Sequence, residues 1–380
     1  MSAPVAYAGV DVADLVDPGR YASGGYPHDA WARLRAEAPV AWFEPPGLDP
    51  FWAITKHADV LEISKQPVRF SSAQGITLRP AGFVLPPSEI LVLLDPPKHG
   101  PMRRVANAGF TPRAVRSRRD DIERIAVEIV DDALPVGGHA EHPGDDPEYR
   151  QPGESPGQTI KRARGELHRY FDALIADRRR DPRDDLVSEL VAAEIDGAPL
   201  TAEQLVAYCE LLVEAGNETT RNAISGGLLA LSEHPGEWEK LRADPDLLPD
   251  AVEEILRWVS PISHFTRIAT EDYELRGVTI RAGDMLALYY ASANRDEDVF
   301  DDPFSFRIDR RPNPHLAFGF GQHFCMGAHV ARVEIETIFR HLVRRVESFE
   351  VSGPVERLSS ITNGSLKHLP IRHRTKEQRA

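Results

Sequence analysis

The chain has 380 residues, 42% of them hydrophobic, enough to enclose one large core with room for a cofactor. Its formal net charge of −14 argues against general nucleic-acid affinity, and no run approaches the roughly 20 apolar residues that span a bilayer. Two cysteines, Cys209 and Cys325, are too few and too far apart for a disulfide framework and fit a reducing cytoplasm.

Met1 to Gly25 has no basic start followed by an apolar core, so it reads as an N-terminal extension rather than a signal peptide. The rhythm of Trp31, Leu34 and Ala38 after Pro27 predicts a helix that Pro39 stops. Phe51 to Thr55 reads as a strand, and Val60, Leu61 and Ile63 as a short helix. Residues 70–94 form a long loop with Phe83, Val84 and Leu85, and loops of that length are usually functional. Helices follow from Pro101, carrying Arg103, Arg104 and Val105, and from about Pro112 to Ala133. Residues 135–158 are rich in Pro, Gly and acids without a hydrophobic period, and helix resumes at Ile160 with Leu167, Phe171, Leu174 and Ile175 on one face. The stretch 201–231 is unusually apolar for a helix and is expected at the centre. Then come a helix over 248–258, strand-like pieces over 263–290, a Gly-rich loop, a helix over 326–346, and short strands at Phe349–Ser352 and Leu369–His373. With no internal repeat or separable second half, the expectation is a single domain over 1–380, mainly α with a minor β-sheet.

The Gly-rich loop runs Phe318-Gly319-Phe320-Gly321-Gln322-His323-Phe324-Cys325-Met326-Gly327 into an amphipathic helix. A cysteine before a helix N-terminus meets unpaired N–H groups and the positive end of the helix dipole, which favour the thiolate. The glycines allow tight turns and close approach to a flat ligand. With no second cysteine nearby, a zinc set is excluded and one axial bond to iron is the fitting use. By itself such a cysteine is more often an inert buried residue. The whole run Phe-Gly-x-Gly-x-His-x-Cys-x-Gly resembles the haem-binding loop of the cytochrome P450 family, the haem-thiolate monooxygenases, in its soluble bacterial form.

That resemblance implies the P450 fold, one haem b (iron protoporphyrin IX) ligated by Cys325, and Phe318, Gly319 and Gly327 against the haem. Ala215-Gly216-Asn217-Glu218-Thr219-Thr220 lies in the middle of the apolar helix, where Gly costs about 1 kcal/mol and Thr hydroxyls compete for backbone carbonyls. A surface turn with a capping carboxylate would account for it. The functional reading is a local kink that makes room for dioxygen, and it resembles the family's Ala-Gly-x-(Asp/Glu)-Thr-Thr. The resemblance places Ala215 beside the haem, assigns Thr219 to hold dioxygen or an ordered water, and makes Glu218 the link to the proton supply.

Glu254-x-x-Arg257 is by itself a common helix pair, and exposed pairs of that kind contribute only about 0.3–0.5 kcal/mol. In this setting it resembles the family's Glu-x-x-Arg, with Arg310 as third member and His315 closing the network. Haem propionates need cationic or hydrogen-bonding partners. Asp95-Pro96-Pro97-Lys98-His99 with Arg103, then Arg267 and His323, resemble the family's four propionate partners, although each alone reads as a solvated charge. Arginines at 103, 104, 113, 116, 118 and 119, and at 332, 340, 344 and 345, either form ordinary solvated faces or resemble the family's docking side for an acidic ferredoxin fed by an NAD(P)H-dependent reductase.

The family's substrate-contacting segments here carry Val84, Leu85, Leu212, Ile262, Phe265 and Ile361, which imply an apolar pocket, with His264 as a polar group able to meet a hydroxyl or carbonyl. The runs at 215–227 and 311–321 resemble the branch that hydroxylates steroids, terpenes and fatty acyl chains. One departure stands out. On the order of 35 residues are missing between Leu134 and Ile160, where two helices of the family fold are expected, and the Pro/Gly/acidic loop 135–158 replaces them. The expected consequences are an uncovered strip of the central helix and a wetter pocket. The implied activity is insertion of one oxygen atom from O2 into a lipophilic substrate, with no membrane anchor and no nucleic-acid partner. The alternative is a haem-thiolate protein that binds ligands without productive oxygenation.

Overall fold

The computed structural model describes residues 6–133 and 151–375. A helix over Ala202–Glu233 runs through the middle of the molecule, about 48 Å long at 1.5 Å per residue. Thr201 starts it: its hydroxyl accepts from the Gln204 amide while the Gln204 side chain returns to the Thr201 N–H. His234 ends it and Pro235 begins the next helix, Pro235–Ala243. Two further helices, Leu248–Val259 and Ala328–Arg345, cross it around one apolar cluster that includes Ala223, Ala230, Ile255, Ile335 and Phe339. The crossing requires a missing side chain, because a Cβ on Gly227 would stand 2.8 Å from Ile255 Cγ2 and 3.0 Å from Phe339 Cζ.

A five-stranded sheet lies to one side, in the order Val40–Phe43, Phe51–Ile54, Met285–Tyr289, His264–Ala269 and Phe70–Ser71. Only the pair Phe51–Ile54 and Met285–Tyr289 is parallel. Both faces are covered: Trp42, Trp52, Ile54, Leu286 and Leu288 pack into one cluster, and Phe43, Phe51, Ala53, Ala287 and Tyr289 into another. The second cluster also takes Val10 and Leu15, and Leu15 is fully buried. Residues expected as an extension therefore carry two short helices, Ala13–Val16 and Pro18–Gly24, and contribute to the core.

The helix expected over Pro112–Ala133 is two helices, Pro112–Ser117 and Arg119–Ala133, separated at Arg118. The helix expected from Ile160 begins at Pro156, where Ser155 and Gln158 form a capping box, and continues to Arg180. It packs on the first half of the central helix through Phe171, Ile175, Leu205 and Cys209. The sequence reading passed over the helix Leu186–Ala192 and the hairpin Glu194–Ile195/Ala198–Pro199. Asp196-Gly197, both at positive φ (53° and 80°), is a hairpin signal that would have found the latter.

Most of the loop 135–158 lies outside the described residues. Ile125 (46% exposed) and Ile129 (54%), one turn apart on Arg119–Ala133, face outward. So does Val213 (47%) on the central helix, and residues 214–217 are exposed as well. Among the described residues, no helix is long and apolar enough to cross a membrane.

Candidate active site

Cys325 lies three residues before the helix Ala328–Arg345, in a loop closed by its own N–H to Phe318 O at 2.9 Å. The loop fits because Gly321 (φ 74°) lets it pass the end of the helix His57–Ser64: a Cβ there would fall 2.2 Å from the Ser64 carbonyl oxygen. Gly319 turns through φ 65°. The half-buried Cys325 thiol is pushed up by burial, while the Gly327 amide, Arg103 and Arg332 pull it down. The net direction is upward, against the expectation from the helix terminus alone, because the N–H groups and distant guanidinium groups do not offset desolvation. A bound metal cation would reverse it, since a coordinating thiol is deprotonated outright. Cys209, by contrast, is buried among apolar side chains and pushed up to about 11.

Four nitrogen-bearing side chains gather beside this loop. Arg103, on the helix His99–Asn107, donates to Gln322 O at 3.1 Å and Phe324 O at 2.7 Å. The rings of His99 and His323 lie 4.5 Å apart. Arg267, on the strand His264–Ala269, is buried and donates to its neighbour Thr266 O at 2.7 Å. Burial, then Arg103, hold His99 down at about 4, with Asp95 opposing them. Burial, then Arg267, His99 and Arg103, hold His323 down at about 3. Asp95 anchors the rim by accepting from Ser71, Ser72 N–H (2.9 Å) and Ser72 Oγ (3.1 Å), and Ser72 Oγ lies 3.3 Å from His323 Nε2. His99 Nδ1 is buried with no hydrogen-bond partner among the described residues. A cluster of donors that includes an orphaned nitrogen is suited to an anionic group.

Glu254, Arg257 and Arg310 meet in the core, all at 3% exposure or less. Arg257 makes two bonds of 2.8 Å to the Glu254 carboxylate, and Arg310 Nε lies 3.1–3.2 Å from both its oxygens. Arg307 N–H (2.9 Å) and Asn313 Nδ2 (3.2 Å) complete the shell. The remaining guanidinium donors go to the carbonyls of residues 294, 301, 302, 303 and 305. His315 does not join this set. It lies 3.1 Å from Glu253, which also binds Arg332 at 2.6 and 2.8 Å. Neighbouring acids on a helix point to different sides, which separates the two networks.

On the central helix, Thr219 Oγ1 donates back to Ala215 O at 2.9 Å. The helix continues unbroken through Gly216, without the break that the expected kink would bring, and the Thr219 hydroxyl competes for the backbone ladder. Glu218 turns toward residues 363–365, accepting from Ser365 Oγ at 3.1 Å and Asn363 Nδ2 at 3.4 Å. No sequence signal singled out Ser365, Asn363 or Asn222, since lone Ser and Asn residues in loops and helices carry none.

The residues expected to line a pocket are divided. Ile262 and Phe265 pack on one sheet cluster, and Leu212 on the cluster beneath the central helix. His264 alternates to the opposite face from Phe265, fully buried with its ring 5.0 Å from Tyr289, and burial holds it down at about 4. Ile361 packs on that same opposite side. His264 is thus a core side chain here and not the polar contact expected of it. Val84 is 83% exposed and Leu85 half-buried. Of the arginines, Arg104, Arg113, Arg116, Arg118 and Arg119 are exposed, whereas Arg332 and Arg340 are paired with acids.

The model of the family described as cytochrome P450 matches residues 153–368. The chain is 36% identical to a putative cytochrome P450 of Mycobacterium tuberculosis, over 96% of this chain and 98% of that one. It is 34% identical to a steroid C26-monooxygenase of Mycobacterium bovis (94% and 92%) and 34% identical to a linalool 8-monooxygenase of Pseudomonas putida (94% and 98%). Among solved structures, a P450 of Novosphingobium aromaticivorans superposes with a TM-score of 0.87 at 32% identity (98% and 100% covered). A Mycobacterium marinum P450 in complex with pseudoionone gives 0.86 at 33% (97% and 100%). The first alignment spans 406 positions, while 96% of 380 residues is about 365, so about 40 positions have no residue in this chain. Because both chains are matched nearly end to end, the missing length is internal.

Proposed function

Since the chain belongs to the cytochrome P450 family and is a haem-iron monooxygenase of it, we propose that it uses haem b and ferredoxin-supplied electrons to insert one oxygen atom from O2 into a steroid, terpene or fatty acyl substrate. When bound, the haem supplies the electron-transfer and dioxygen chemistry. Every other part of the task falls to side chains.

Cys325 would hold the iron, with Phe318, Gly319, Gly327 and Ala215 against the macrocycle. His99, Arg103, Arg267 and His323 would hold its two carboxylates. The single observation that carries this assignment is the buried, unpartnered His99 Nδ1 beside the ring of His323 and the cysteine loop. A carboxylate placed there would accept that bond and offset the burial and nearby guanidinium charge that hold both histidines neutral. The Glu254–Arg257–Arg310 cluster fixes the segment leading into the loop.

Thr219 and Glu218 would manage protons from the central helix, the hydroxyl turned back to Ala215 O and the carboxylate held by Ser365 and Asn363. Ile262, Phe265 and Leu212 supply apolar surface for a lipophilic substrate. The steroid and linalool names of two relatives support the substrate class. The redox partner would dock on the exposed arginines of residues 104–119, because Arg332 and Arg340 already have acidic partners. We assign the activity to one domain spanning the chain, working in the cytoplasm.

A second reading is favoured by the missing length: a haem-thiolate protein that binds ligands but couples poorly. NADH-driven turnover with a surrogate ferredoxin and reductase separates the two, using a cholestane-type steroid and linalool as probes. Hydroxylated product in proportion to NADH consumed supports the enzyme. Peroxide release without product from any probe that binds supports the alternative.

A further inference from the structure

The carboxylate of Glu218 is held by residues that lie outside its own motif, about 145 positions along the chain. Ser365 Oγ is 3.1 Å from one oxygen and Asn363 Nδ2 is 3.4 Å from the other. The same Ser365 hydroxyl accepts from Asn222 Nδ2 at 2.6 Å. A hydroxyl carries one proton, and since the amide N–H donates to Ser365 Oγ while an ionised carboxylate can only accept, that proton goes to Glu218. Asn222 and Ser365 are 1% and 6% exposed, and Asn222 sits one turn beyond Glu218 on the same helix. The loop therefore holds the acid directly, and the helix holds the loop through Asn222.

The loop is itself pinned. Ser263 N–H donates to Thr362 O at 2.7 Å, Gly364 N–H to Pro261 O at 3.0 Å, and Ile262 bridges to Asn363. A Cβ on Gly364 would fall 2.2 Å from Tyr26 Oη, so the loop is seated against Tyr26, which donates to Ser260 O at 2.7 Å. Ile262, expected at the pocket, thus shares one short piece of backbone with the partners of the acid.

We propose that Ser365 and Asn363, with Asn222 behind Ser365, are positioning residues that hold the Glu218 carboxylate on the side of the C-terminal loop while it serves as the proton-handling acid of the site. The proposal rests on the reading of Glu218 as the proton-handling acid. It makes proton supply depend on the C-terminal loop, and through Ile262 on whatever presses against that loop.

The test needs no organic substrate. Holoprotein fed electrons through a surrogate ferredoxin pair consumes O2 as its only acceptor, and the uptake rate is compared in H2O and D2O. Ser365→Ala is expected to slow uptake about tenfold, the worth of one hydrogen bond to a charged group, and to raise the solvent isotope effect. Ser365→Thr, which keeps the hydroxyl, is expected to recover both. Asn363→Ala, at a half-buried site, should act in the same direction and carries the test if Ser365→Ala fails to load haem. Glu218→Gln separates the two levels of the argument. If Glu218→Gln changes rate and isotope effect while Ser365→Ala and Asn363→Ala match the unaltered protein, the positioning role is wrong and the acid's role stands. If Glu218→Gln itself changes neither, both fall.

Discussion

Replacing Glu254 by Gln isolates what the buried network contributes. The carboxylate receives two bonds from Arg257, a shared one from Arg310, and one each from Arg307 N–H and Asn313. Gln keeps the volume but removes the charge and turns one acceptor into a donor facing a guanidinium. Arg257 and Arg310, at 0% and 3% exposure, are then left as two buried cations with only carbonyl partners. Breaking a buried pair in this way costs about 3–5 kcal/mol. At roughly 2.1 cal/mol/K per residue, 380 residues give an unfolding entropy of about 0.8 kcal/mol/K, so the melting midpoint should fall by about 4–6 °C. The assay is thermal unfolding at fixed scan rate alongside haem content. Glu253→Gln is the control: its partners Arg332 and His315 are joined to a carboxylate with 30% of its surface exposed, and the loss should be about 1 kcal/mol. Equal midpoints for the two variants would refute the claim that burial makes the first cluster structural.

Gly321→Ala puts a methyl 2.2 Å from the Ser64 carbonyl at a positive φ, so the cysteine loop must shift, and the purified variant should carry less than half the haem of the unaltered protein. His264→Phe removes a buried imidazole with an orphaned Nε2 and should leave stability at pH 8 within about 1 kcal/mol. Because burial lowers the folded-state value of His264 from 6.5 to about 4, its stabilising effect is complete above pH 6.5 and is lost as pH falls toward 4. The variant should therefore show a shallower loss over that window in urea unfolding, with unchanged spin-state titration by steroid or linalool. An unchanged slope would show that His264 is not buried as described.

The elements that carry chemistry were legible because their spacing is specific. The cysteine loop, the Ala215–Thr220 run and Glu254-x-x-Arg257 each tie a residue type to a fixed offset, and the relatives confirm the family they point to. Long periodic helices were equally plain, whereas the start at Pro156 is set by the capping box of Ser155 and Gln158, which lies outside the hydrophobic period. What the sequence hid is set by tertiary neighbours. The alternation that turns His264 away from Phe265 depends on where the strand enters the sheet. The choice of His315 for Glu253 depends on how one helix is rotated. Ser365 and Asn222 acquire meaning only when a loop 143 positions away is laid on the central helix. The N-terminal residues looked detached because two short helices give too few turns for a period, yet Leu15 and Tyr21 are core side chains.

The central claim is that Cys325 is the axial ligand of a haem held in this loop, and the reduced, carbon-monoxide-bound optical spectrum tests it most directly. The unaltered protein should show the red-shifted Soret band characteristic of a thiolate ligand. Cys325→Ser, with the donors at His99, Arg103, Arg267 and His323 intact, should still take up haem but lose the shift. An ordinary Soret position in the unaltered protein, or a shift that survives in Cys325→Ser, would contradict the account.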